Sequence, residues 1–212
     1  MKTLSGFLKV WAAIVVFGFS ATSSASLITN GSFEENDVPY GSWRWFTADE
    51  VNGWDGSNIE IWDHLKGEEA YDGQQFAELN AHPRPSDAFS IYQDFNTEVG
   101  QVYNVSFAYQ ARRENVNETF LSSILDSEDL GSTLFSWTLD DHTTDGWSLL
   151  NGSFVAASEQ SRIQFTTITP ETYTYGNFVD DIKVTAEVPE PSTIALLVLG
   201  MLGLRMSRRK TQ

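Results

Sequence analysis

The residues of this 212-residue chain best suited to chemistry are its tryptophans and its carboxylates. Six of the seven tryptophans, Trp43, Trp45, Trp54, Trp62, Trp137 and Trp147, fall between residues 27 and 187. A flat aromatic ring gives the C–H face of a sugar a surface to stack on, while polar neighbours read the hydroxyls. Trp43-Arg44-Trp45, beside Gly41 in a stretch that reads as a loop, is the leading candidate for such a platform. Arg112 and Arg113, just after a strand-like run, add hydrogen-bond donors. Trp54, Trp62 and Trp147 are expected in the core. Catalysis finds little support. The chain has no cysteine. His64, His82 and His142 are scattered, without the i, i+4 spacing of a metal-binding pair. No Gly-x-Ser-x-Gly elbow occurs. Carboxylates are numerous enough to include a glycosidase-like pair, but abundance alone does not set two of them across a bond. The chain reads as a non-enzyme.

Charge narrows the partners. The whole chain carries a formal −16. Residues 27–187 hold 7 Lys and Arg against 28 Asp and Glu, a net of −21. Such a domain repels phosphate backbones, so nucleic acid is not an expected partner. The carboxylates keep the surface solvated and are oxygen donors of the kind calcium takes. With no cysteine, neither a disulfide nor a thiolate metal site is possible.

Short strands must position these groups. Tyr103, Val105, Phe107 and Tyr109 alternate with Asn104, Ser106, Ala108 and Gln110, a period of two that marks a half-buried strand. Residues 59–62, 75–80, 89–95, 119–125, 133–139, 147–156, 162–168 and 178–186 read in the same way. Asp55-Gly56, Asp72-Gly73, Val99-Gly100, Asp145-Gly146, Asn151-Gly152 and Tyr175-Gly176 supply turns. About nine strands with no long amphipathic helix between them predict an all-β, antiparallel jelly-roll β-sandwich over residues 27–187.

The two ends differ from this middle. Residues 1–26 read as a signal peptide: Lys2 and Lys9, a short apolar run from Val10 to Phe19, then small residues to a cleavage point after Ala25 or Ser26. Residues 188–212 begin with Pro189-Glu190-Pro191, continue through an apolar run to Leu204, and end in Arg205, Arg208, Arg209 and Lys210. The basic cluster favours the cytoplasmic side, which puts the sandwich outside. The domain is thus expected between an N-terminal signal helix and a C-terminal transmembrane helix. Together, the Pro-Glu-Pro motif, apolar helix and arginine-rich tail resemble the PEP-CTERM sorting signal of Gram-negative bacteria that carry an exosortase. That resemblance implies processing by exosortase from an inner-membrane-anchored intermediate. It also implies a destination at the cell surface or in the extracellular matrix.

The middle domain has landmarks of its own: Asn30-Gly31-Ser32-Phe33-Glu34 at the start, then Gly53-Trp54, Ile59-Glu60-Ile61-Trp62, Ala77-Glu78-Leu79-Asn80 and Ile91-Tyr92-Gln93-Asp94-Phe95, and Asp180-Asp181-Ile182-Lys183-Val184 at the end. In that order they resemble the galactose-binding-like β-sandwich domains, carbohydrate-binding modules among them. The resemblance implies a structural calcium between first and last strands, held by Asn30 and Glu34 facing Asp180 or Asp181. The two aspartates are not distinguished, because neighbours on a strand point to opposite faces. It also implies polysaccharide binding without catalysis, through a face containing Trp43, Trp45 and Arg112. The competing expectations are a structural matrix or adhesion protein acting through protein contacts and, less favoured, a glycoside-processing enzyme.

Overall fold

A computed structural model describes residues 25–83, 88–114, 118–140, 143–169 and 174–187. The signal segment up to residue 24, His142, and the sorting residues Pro189, Glu190, Pro191, Arg205, Arg208 and Arg209 lie outside the described residues, as do the two flanking helices expected there. Among the described residues there are eleven strands, with polar and apolar residues alternating along several of them. They are β1 (Ser42–Phe46), β2 (Asp55–Gly56), β3 (Ile59–Asp63), β4 (Gln75–Glu78), β5 (Ser90–Asn96), β6 (Val102–Gln110), β7 (Thr119–Asp126), β8 (Thr133–Leu139), β9 (Ser148–Val155), β10 (Gln160–Thr169) and β11 (Phe178–Ala186).

The strands make two antiparallel sheets. One has six strands in the order β1-β3-β4-β11-β6-β9, the other five in the order β2-β5-β10-β7-β8. Non-sequential neighbours such as β4-β11-β6 give the crossovers of a jelly-roll sandwich. Alternation sets the core. In β6, Tyr103, Val105, Phe107 and Tyr109 turn inward; in β10, Ile163 and Phe165 meet them from the other sheet. Phe107 and Phe165 pack edge to face with centroids 5.1 Å apart. Each large apolar side chain buried this way contributes roughly 1.5–3 kcal/mol.

The opening and closing segments touch, as the resemblance implies. The Leu27 amide donates to the Val184 carbonyl at 2.7 Å, and the Ile182 amide to the Gly31 carbonyl at 3.0 Å. Three sequence expectations change, the last being Asn151-Gly152, read as a turn but lying inside β9. Trp43-Arg44-Trp45 is not a loop but the middle of β1, the edge strand of the six-stranded sheet. Asp55-Gly56, read as a turn, also pairs as a short strand with β5. The first error has a physical origin. An edge strand carrying aromatic side chains outward breaks the apolar-in, polar-out pattern by which strands are recognised.

Candidate functional site

Register places the candidate groups on the outer face of the six-stranded sheet. Trp43 is the Cα partner of Trp62, and Trp62 of Phe76. Trp45 is the partner of Glu60, Glu60 of Glu78, Glu78 of Phe178, and Phe178 of Gln110. Directly paired residues share a face, so these two rows cross the sheet side by side. Most of the face is covered. Trp62, Phe76 and Phe178 form an apolar cluster of their own, against which Leu65, Ala70 and Trp147 pack. Trp43 and Trp45 remain open, at 41% and 39% exposure. Trp54 and Trp62 are buried, as expected, and Trp147 is half-buried with its indole N–H donating to the Glu69 carbonyl at 2.9 Å. Sequence reading did not single out the aromatic that precedes β1. Tyr40 is 80% exposed. Its ring stacks on His64 with centroids 4.8 Å apart. His64 in turn holds the buried Asp63 carboxylate through Nδ1 at 2.6 Å.

Arg112 reaches the same face, but its guanidinium is already engaged. It lies 4.8 Å over the Trp62 ring and 4.3 Å over that of Tyr175. Its Nη1 donates to Glu78 Oε1 and to the Thr174 carbonyl. Arg113 pairs with the buried Glu118, which also accepts the Arg112 amide. Glu60 takes the Trp62 indole N–H at 2.8 Å and the His82 amide at 3.3 Å. Glu78 Oε1 also accepts the Gly176 amide, while its Oε2 is buried without a partner. Burial, reinforced by the facing Glu60, pushes the Glu78 carboxyl well above the usual range; Arg112 pulls the other way. The sequence signal for this pair was present: Glu60 and Glu78 interrupt otherwise apolar runs, 59–62 and 76–79. Pairing them required the β3–β4 register.

The residues expected to hold calcium divide. Glu34 and Asp180 converge on the loop before β4. Asp180 Oδ2 accepts the amides of Tyr71 and Asp72 at 2.8 and 2.9 Å, and Oδ1 accepts that of Asp181 at 2.7 Å. Glu34 Oε1 accepts the amides of Gln74 and Gln75, both at 2.7 Å. Between them, Gly73 has φ +75°, and a Cβ there would stand 2.3 Å from Glu34 Oε1, so only glycine fits. Asn30 and Asp181 make contacts of their own. Asn30 Oδ1 accepts the Glu35 amide. A register shift between Asp180 and Lys183 puts Asp181 at φ +49°, where it pairs with Lys183. Burial pushes the Asp180 carboxyl up to about 7. Among the described residues no group of three or more His, Asp or Glu side chains could hold a metal ion. A cation at Glu34 and Asp180 would therefore complete its shell with backbone carbonyls and water, as calcium readily does.

A depression of about 560 Å³ is lined by none of the tryptophans. Its lining of Asn96, Thr97, Glu98, Val99, Glu128, Glu159 and Gln160 has no aromatic ring to stack a sugar.

Comparison with known proteins agrees with this picture at two levels. Residues 187–210 match the PEP-CTERM protein-sorting motif, which marks an exported chain sorted by exosortase to the surface or beyond. No curated protein matches the chain. Among solved structures, an arabinose-bound α-L-arabinofuranosidase superposes with a TM-score of 0.54 at 11% identity, over 79% of this chain and 27% of that one. A CBM4 gives 0.48 at 20% identity over 76% and 99%. A CBM61 in complex with β-1,4-galactotriose gives 0.48 at 16% identity over 77% and 100%. The likeness is one of fold.

Proposed function

We propose that this exported, exosortase-sorted protein is a non-catalytic glycan-binding module whose ligand stacks on Trp43 and Trp45. The observation that carries the reading is their placement. Two indoles stand on one outward face of an edge strand, each about 40% exposed, while the neighbouring ring of Trp62 is buried. Leaving that much aromatic surface in water is unfavourable unless a partner covers it. Arg112 acts here as a positioning residue. It braces Trp62 and Glu78 beside the platform, with Nη1 donating to Glu78 and to the Thr174 carbonyl.

Retention of the protein on immobilised polysaccharide tests the reading. Trp43→Ala and Trp45→Ala should each weaken binding by about ten-fold, with the thermal midpoint little changed because neither ring is in the core. Undiminished retention in the double variant would remove the platform from the argument.

One feature favours the adhesion reading as the second choice. Leu149 and Val155, both on the outward face of β9, are 52% and 55% exposed. If glycans fail across a broad panel, capture of a protein partner that is lost in Leu149→Ser would support it. A glycosidase reading is weaker, because Glu60 and Glu78 are buried and occupied by the protein's own donors. A structural calcium ion at Glu34 and Asp180 belongs to the same proposal. Added calcium should raise the thermal midpoint at neutral pH, and Asp180→Asn should abolish the rise; equal midpoints in calcium and in chelator would argue against the ion.

A further inference from the structure

We infer that the platform takes an uncharged glycan laid along β1, with Tyr40 as a third aromatic contact. This rests on the glycan-binding reading above and adds the ligand's charge class and direction.

The charge argument starts from the domain's net of −21 over residues 27–187. It holds locally as well. Asp49 and Glu50 follow β1 directly, and Glu60 is the register partner of Trp45. The nearby arginines are occupied. Arg44 lies on the other face of β1, 4.9 Å over the Phe46 ring, and Arg112 is bound to Glu78. Lys66, on the turn after His64, is followed in the same loop by Glu68 and Glu69. A polymer with a carboxylate or sulfate on each sugar would bring like charge into this field, which acts over about 8 Å at physiological salt. A neutral sugar loses nothing to it and stacks through its C–H face.

The direction follows from the strand. β1 is a sheet edge, and among the described residues no further strand flanks it on its outer side. Tyr40 sits at the end of β1 nearest Ser42, 80% exposed and held in place by its stack on His64. From Tyr40 through Trp43 to Trp45 the backbone spans at most about 17 Å, enough for several sugar residues in line.

Binding of the full chain in detergent to neutral polymers (galactan, xylan, mixed-linkage glucan) and acidic ones (alginate, polygalacturonate, hyaluronan), at low and high salt, is the test. A neutral polymer should bind with an affinity that salt hardly moves. Tyr40→Ala should weaken it by about three- to ten-fold. An acidic polymer binding more tightly than any neutral one at low salt would overturn the charge class while leaving the Trp43–Trp45 platform standing. Unchanged affinity in Tyr40→Ala would overturn the third contact. Failure of every polymer at both salt levels would instead overturn the glycan-binding reading itself.

Discussion

At the scale of single residues, two buried carboxyls link this fold to pH in the same direction. Glu78 and Asp180 both have folded-state values above their ordinary ones, with burial the leading cause in each. A group raised on folding favours the native state while protonated. Its contribution is complete below the unfolded value and disappears as pH climbs through the folded one. For Asp180 that window runs from about pH 4 to about 7 and is worth on the order of 4 kcal/mol. Urea unfolding midpoints should therefore fall as pH rises across that range in the presence of chelator, and Asp180→Asn should flatten most of the slope. A wild-type midpoint independent of pH would contradict the burial argument. Arg112 sharpens the case at Glu78. Removing its charge in Arg112→Met leaves two facing carboxyls with less compensation and should cost about 3–5 kcal/mol, more at high pH than at low. Restoring neutrality with Glu78→Gln in the same background should recover much of the loss. If the double variant is no more stable than the single one, the arginine matters for its stack on Trp62 rather than for its charge.

At the scale of elements, the closing of the sandwich on its β8–β9 side turns on one glycine. Gly152 of β9 lies under the indole of Trp137 on β8, where an added Cβ would come within 2.3 Å of the ring. Trp137 also stacks with Phe135, centroids 4.2 Å apart, so its ring has little room to withdraw. Gly152→Val should destabilise the domain by about 1–3 kcal/mol through overpacking, and Trp137→Ala in that background should not add its full cost; additive losses would mean that the two residues do not press on each other. The same elements show what could be read beforehand. All nine expected strands are present, most of them marked by alternating polar and apolar residues. Trp54 and Trp62 were legible as core and Trp43 and Trp45 as candidates for the surface. Three things were hidden. The strand identity of β1 was masked by its outward indoles. The division of labour between Asp180 and Asp181 depends on a bulge that puts Asp181 in a left-handed conformation, which no local pattern announces. The occupation of Arg112 depends on Glu78 and Tyr175, residues brought to it only by the long-range pairing of β4, β11 and β6.

At the scale of the whole molecule, the fold separates the proposed platform from the start of the sorting motif. β11 runs from Phe178, in the row of Trp45 and Glu78, to Ala186, eight steps or about 27 Å away. The described domain ends there: the Glu187 amide donates to the Val102 carbonyl at 2.9 Å, and the Gln101 side chain donates to the Glu187 carbonyl at 2.8 Å. Leu27 enters beside Val184 at the same end. The sorting motif of residues 187–210 thus begins where the last strand is pinned, at the end remote from Trp45 and Arg112. If the sorting segment holds the chain at a bilayer, a platform at the opposite end of the domain would face away from it, within reach of a polymer too large to slip between domain and membrane. Full-length protein reconstituted in vesicles should accordingly bind a soluble polysaccharide within about two-fold of the affinity measured in detergent, since tethering adds no contact and removes none. Trp45→Ala should weaken both forms alike. A tethered form that binds only short oligosaccharides, or not at all, would mean that the platform turns toward the membrane and becomes available only after the tail has been processed.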